Sequence, residues 1–116
     1  MGKPVVHWEI AARDADRLER FYASMFDWQV DDSPVHYRQV DTGTASGIQG
    51  AFAETGGSWP SHALFYVQVD DVSEYLQKAE KLGGSTLLPP TEMNGSGTIA
   101  IFRDPEGVPI GLVQRG

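Results

Sequence analysis

His7 and Glu9 stand two residues apart in the stretch VVHWEIA, where Val6, Trp8 and Ile10 alternate with them. Alternation of period 2 marks a strand with one apolar face and one polar face. Residues at i and i+2 on a strand look into the same space, about 7 Å apart. An imidazole titrates near neutrality, and a carboxylate set against apolar surface has its acidity tuned by burial. Together they form a pair suited to moving protons or to anchoring a polar ligand. Hydrogen bonds to Gln68 or to water would account for the same two residues without any chemistry.

The elements that must hold this pair can be read outward from it. After Asp14, an N-cap by type and place, Leu18, Phe21, Tyr22 and Met25 recur at i, i+3, i+4 and i+7, which predicts one apolar helix stripe. Packed on the Val6/Trp8/Ile10 face, that stripe leaves His7 and Glu9 on the other side of the sheet. Strands are predicted at Trp28–Asp31, His36–Val40 and Gly47–Ala53, with a turn at Asp32–Pro34. Glu54–Pro60 then reads as a linker. A second pass begins with a strand over Ala63–Val69, in which Leu64, Tyr66 and Gln68 share one face. Asp71 with Glu74 fits a capping box, Val72, Tyr75, Leu76 and Ala79 form the next stripe, and Gly83–Gly84 end the helix. Strands at Ser85–Leu88, Thr98–Phe102 and Val108–Gln114 follow, with Pro89–Gly97 as a loop and Asp104–Gly107 as a turn.

Both halves therefore spell strand, helix and three strands, an internal repeat of roughly fifty residues. The predicted class is α+β: two tandem βαβββ modules, about 1–55 and about 61–116, forming a curved mixed sheet around a central cleft within a single domain.

Composition narrows the function. The 116 residues carry a net charge of −7, which argues against a nucleic-acid partner. No apolar run approaches a membrane span and no signal-peptide pattern is present, so a cytoplasmic protein is the default expectation. With no cysteine, thiolate metal sites and a cysteine nucleophile are excluded. The glycine-rich GTASG and NGSG segments lack the strand–loop–helix context of a phosphate cradle, and no serine sits in a G-x-S-x-G elbow.

The opening strand with His7, the Phe21–Tyr22 pair, Phe26–Asp27–Trp28, the VDDV of Val69–Val72 and the FRDPEG turn of Phe102–Gly107 resemble the vicinal oxygen chelate superfamily. That superfamily holds the glyoxalases, bleomycin-resistance proteins and extradiol dioxygenases, and the chain also resembles, more narrowly, small glyoxalase-like proteins. The resemblance covers nearly the whole chain. It implies the paired βαβββ fold, a small-molecule cleft, a homodimer and, in the enzymes, a divalent metal. Position by position, the first metal ligand falls on His7, the second on Leu64 and the last-strand glutamate on Gly111. The remaining position falls near Gln49 or Gly50. Leucine and glycine offer no donor, so two of four positions are vacant, whereas a transition metal wants three or four converging donors. His62, two residues before Leu64, would substitute only with a shift of strand register. A metal cofactor is therefore disfavoured, and His7 is the one residue carried as a ligand candidate.

The expected function is a divergent glyoxalase-like enzyme that uses His7 and Glu9 for proton transfer. A metal-free binding protein of the bleomycin-resistance type is the alternative, and a metal-dependent lyase or dioxygenase the third reading. Gln49, Leu64, Tyr66 and Gln68 are the candidate cleft-lining residues, with Trp59 as an aromatic lid. His36 reads as a solvated residue, and the segment Met93–Gly97 as a loop able to close over a ligand.

Overall fold

A computed structural model describes residues 2–31, 36–56, 60–93 and 97–115. The proposed lid residue Trp59, the turn at Asp32–Pro34 and the middle of the Met93–Gly97 loop lie outside the described residues. Those described form β1 (Val5–Ala12), α1 (Ala15–Phe26), β2 (Gln29–Val30), β3 (Tyr37–Asp41), β4 (Gly50–Glu54), β5 (His62–Gln68), α2 (Val72–Lys81), β6 (Ser85–Glu92), β7 (Thr98–Arg103) and β8 (Pro109–Gln114). The α+β class and the repeated βαβββ order are thus observed. The chain divides into two compact units, His7–Leu64 and Met1–Val6 with Phe65–Gly116.

In the unit His7–Leu64 the strand order is β2-β3-β4-β1, with β1 parallel to β4 and the other pairs antiparallel. A parallel pair needs a long crossover, which α1 and the β2–β3 hairpin provide. Asp14 caps α1 by accepting from the Arg17 amide at 3.1 Å. The helix ends at Asp27 in the left-handed region (φ 60°), its amide donating to the Ala23 carbonyl at 2.9 Å. That is a cap position that glycine or a short polar residue fills with least strain.

The buried side of α1 differs from the predicted stripe. Tyr22 packs among Trp28 and Phe52, with ring centroids 5.8 and 5.6 Å away, and Trp8 lies 5.0 Å from Trp28. Phe21 and Met25 are instead 60% and 62% exposed. The cause is polar. Arg38 on β3, only 6% exposed, draws Asp16 (2.7 Å) and Glu19 (2.8 Å) of α1 against the sheet. This rotates the helix so that Ala15, Glu19 and Tyr22 face inward. A stripe drawn from hydrophobicity alone omits Glu19.

In the other unit the order is β6-β7-β8-β5, with β5 parallel to β8, the same arrangement again. Asp71 caps α2, its side chain accepting from the Ser73 and Glu74 amides, and Gly83 adopts φ +102°. Val69, Val72, Leu76, Ala100 and Leu112 form its core. The predicted loop from Pro89 is in fact the second half of β6, which runs to Glu92. As the last strand in the order it pairs only with β7, so Pro89 and Pro90 break no second ladder. Its register slips twice, between Thr86 and Leu88 and between Leu88 and Thr91. The Asp104–Gly107 turn forms as predicted: Asp104 Oδ1 accepts from the Glu106 and Val108 amides, and Gly107 has φ +88°.

The two units repeat one further device. Glu54, closing β4, accepts from the amide of Ala15, the first residue of α1, and Gln114, closing β8, accepts from the amide of Val72, the first of α2. Each last strand thereby satisfies a helix N-terminal donor that has no intrahelical partner.

Candidate functional site

Because Trp8 turns toward α1, His7, Glu9 and Ala11 point to the opposite face of β1. The register fills in that face. Glu9 is opposite Ala51, which is opposite Gln39; Ala11 is opposite Ala53, which is opposite Tyr37. The central strand thus presents only methyl groups between β1 and β3. That leaves room for Tyr37 to lie across the sheet, and its hydroxyl meets His7 Nε2 at 2.9 Å.

Glu9 lies beside this pair and is 7% exposed. His62, at the start of β5 and still within the same unit, places Nε2 3.6 Å from Glu9 Oε2. Its other nitrogen, Nδ1, donates to the Pro60 carbonyl at 2.9 Å, which fixes the ring and turns Nε2 toward the carboxylate. At 3.6 Å, Glu9 and His62 form an ion pair only when the imidazole is protonated. Burial, and secondly the charge of Glu9, push the Tyr37 hydroxyl well above the usual phenol range. Tyr37 therefore keeps its proton and stands as a hydrogen-bond donor near a carboxylate.

The site is a carboxylate set among two imidazoles and a protonated phenol, all within the unit His7–Leu64. Neither Tyr37 nor the use of His62 in its own register is apparent from the sequence. The available signal was the parity of the HYRQV strand, which puts Tyr37 and Gln39 on one face, together with the small Ala51 and Ala53 between that strand and Glu9.

The remaining candidates fall as follows. Gln49 is exposed and uses its amide within its own loop, accepting from the Thr42 amide (2.6 Å) and donating to Asp41 (3.0 Å). Leu64 is buried, and Gln68 is half-buried with its backbone amide bonded to the Pro4 carbonyl. Tyr66 is 3% exposed, and its ring lies flat over Gly111, where an added Cβ would sit 2.3 Å from Cδ1. Counted from the helix starts, Tyr66 corresponds to Glu9 and Gly111 to Ala51, so Ala51 rather than Gln49 or Gly50 occupies the matching place. His36 is exposed but joined to Glu54 at 2.6 Å.

A divalent metal is tested by this donor set, and the residues do not fit one. His7 Nε2 is bonded to Tyr37, Leu64 has no donor, and the Gly111 place is filled by the Tyr66 ring. Among the described residues no three His, Asp or Glu side chains come close enough together to hold an ion. Among the same residues no helix is long and apolar enough to cross a membrane.

With this geometry in hand, comparison with known proteins is informative. A family model described as glyoxalase/bleomycin resistance protein/dioxygenase superfamily matches residues 5–112. Curated relatives, a candidate glyoxylase CFP32 of Mycobacterium bovis and of Mycobacterium tuberculosis, are 26% identical over 113 residues. The match takes in 91% of this chain but 43% of theirs, so the chain spans less than half the length of those relatives. Among solved structures, a hypothetical protein of Bacillus halodurans superposes with TM-score 0.70 at 13% identity, covering 100% of this chain and 96% of that one. Methylmalonyl-CoA epimerase of Mycobacterium tuberculosis gives TM-score 0.70 at 13% identity, covering 97% and 87%. At such identities the likeness is one of fold.

Proposed function

The chain belongs to the glyoxalase/bleomycin resistance protein/dioxygenase superfamily, and from that premise we propose that it is an enzyme of proton transfer on a small molecule. Glu9 is the base that removes a proton from a carbon next to a carbonyl. The observation that carries this reading is the buried Glu9 carboxylate lying beside a phenol whose proton that same carboxylate helps to retain.

The step balances simply. The C–H proton passes to a Glu9 oxygen, and the bonding pair moves into the carbonyl, whose oxygen becomes an enolate oxygen. Tyr37, kept protonated, offers that oxygen a hydrogen bond where the charge develops. Return of the proton to the same face of that carbon gives exchange with retention, delivery of a proton to the opposite face by a second acid inverts the carbon, and delivery to a neighbouring carbon isomerises the substrate. His7 is a positioning residue that aims the Tyr37 hydroxyl through the 2.9 Å bond. His62, with Nε2 3.6 Å from the carboxylate, is a positioning residue that borders Glu9. Epimerisation beside a thioester carbonyl, the chemistry named for one of the solved neighbours, is a reaction of this class. The proposed partners are a small-molecule substrate and a second copy of the chain.

The test is proton–deuterium exchange in heavy water, followed by NMR, over a panel of α-acidic thioesters and keto acids that includes methylmalonyl-CoA. Wild type exchanges at least one of them. Glu9→Gln loses exchange by about 10²- to 10⁴-fold, the usual worth of a positioned general base, while keeping affinity. Binding by wild type without exchange, weakened by Glu9→Gln, would replace the enzyme with a sequestration protein. Activity restored by an added divalent metal would restore the lyase or dioxygenase reading.

A further inference from the structure

A cavity of about 340 Å³ opens between α2 and the sheet beneath it, walled by Val67, Val69, Ala79, Phe102 and Leu112. Every residue lining it belongs to the unit Met1–Val6 with Phe65–Gly116, whereas Glu9 belongs to the other unit. The repeat explains why the space exists. In the first unit the same space beneath α1 is filled by Tyr22, Phe26, Trp28 and Phe52. Counted from the helix starts, Tyr22 corresponds to Ala79, Phe26 to Gly83 and Trp28 to Ser85, and by strand register Phe52 corresponds to Leu112. Three aromatic rings are replaced by a methyl, a hydrogen and a hydroxymethyl group. The second unit has the frame without the filling.

The rim has a definite chemistry. Lys3 and Lys78 stand at it, the Lys78 ammonium lying 5.5 Å from the centre of the Tyr75 ring. Asp104 also lines the cavity; its Oδ1 is held by the Glu106 and Val108 amides of its own turn, and its charge offsets part of that of the two lysines. Leu82, 70% exposed, adds an apolar lip. An apolar hollow with two lysines among its lining residues is complementary to a molecule with a hydrocarbon body and one anionic end. At about 30 Å³ per heavy-atom-sized group, the volume holds roughly eleven such groups.

We propose that this cavity is a binding site for an amphipathic monoanion, a medium-chain carboxylate, with its tail between α2 and the sheet and its carboxylate at Lys3 and Lys78. The site is independent of Glu9, so its failure and that of the proton-transfer reading are separately visible.

Titration calorimetry with decanoate and decyltrimethylammonium below their micelle concentrations, and with decanol below its solubility limit, tests the assignment on the full chain. Decanoate binds tightest, decanol roughly five- to tenfold more weakly, and the cation least, as expected for two solvent-screened rim charges. Lys3→Gln with Lys78→Gln abolishes the preference for decanoate over decanol. Ala79→Phe puts back the ring that the first unit has at Tyr22 and weakens both ligands at least tenfold; Ala79→Leu does the same to a lesser degree if the larger variant fails to fold. Equal affinity for all three probes, no binding of decanoate, or binding untouched by the Ala79 variants would overturn the proposal. So would a dimer, seen by sedimentation, that Ala79→Phe breaks, since the occupant would then be a second copy of the chain.

Discussion

Gly111→Ala is a change of one methyl group with a large expected effect. The Cβ it adds would lie 2.3, 2.5 and 2.8 Å from three carbons of the Tyr66 ring, where ordinary contact begins at 3.4 Å. The ring must therefore retreat by about 1.1 Å (3.4 − 2.3). Tyr66 is almost fully buried, so its retreat presses on the packing behind it. The alternative is a shift of β8, which would strain its ladders with β5 on one side and β7 on the other. Overpacking of this kind costs about 1–3 kcal/mol, and with no free direction the upper end applies. A loss of about 3 kcal/mol would lower the melting temperature of a domain this size by roughly 10–15 °C. Urea unfolding supplies the free energy, provided the m-value is unchanged. The decisive comparison is the same substitution in a Tyr66→Leu background, where the ring edge is gone and the cost should fall below about 1 kcal/mol. Equal costs in the two backgrounds would show that the ring is not what closes this position. The result bears on function, because Gly111 is the place where the resemblance puts a metal-binding glutamate. Gly111→Glu should likewise destabilise the fold and gain no stoichiometric metal in elemental analysis.

Three further outcomes follow from the same contacts. Arg38→Met should cost about 1–3 kcal/mol in urea unfolding, since it strips two charge-assisted bonds from Asp16 and Glu19 while keeping the apolar stem; a neutral result would deny that Arg38 sets the rotation of α1. Glu54 has its carboxyl held below the usual carboxylate range, first by the bond to His36 and then by the Ala15 amide. A depressed folded value gives stability present above the unfolded value of 4.5 and lost as pH falls through the folded one. Glu54→Gln should therefore lower the melting temperature at neutral pH, with the difference closing as the pH drops below that point. Tyr37 has the opposite sense. Its folded value lies above the ordinary 10.0, so the folded state holds its proton longer and stability declines as pH rises past that value. Tyr37→Phe should flatten this alkaline decline, and phenolate absorbance of the folded wild type should show one tyrosine fewer ionising in the normal range than in the unfolded chain.

What is periodic or local was legible along the chain. The period-2 strand around Trp8, the caps at Asp14 and Asp71, the glycines at 83 and 107 and the twofold element order are all carried by neighbours along the chain, whose steric and hydrogen-bonding preferences act within one turn or one pleat. They were enough to give the α+β class and to put His7 and Glu9 on one face. The rest depends on register across strands, which no local pattern carries. Tyr37 reaches His7 because β4 lies between their strands and offers only Ala51 and Ala53 to the face they share. His62 meets Glu9 in its own register, with no slip of the strand. Glu19 turns inward because Arg38, nineteen residues further on, is buried beneath α1, and that in turn leaves Phe21 and Met25 facing out. Such pairings set side chains against each other that the chain separates by tens of residues, so no window of local pattern contains both partners. The cavity under α2 is the same lesson in reverse. Ala79, Gly83 and Ser85 are ordinary residues on their own, and they signify an absence only when the second unit is laid over the first.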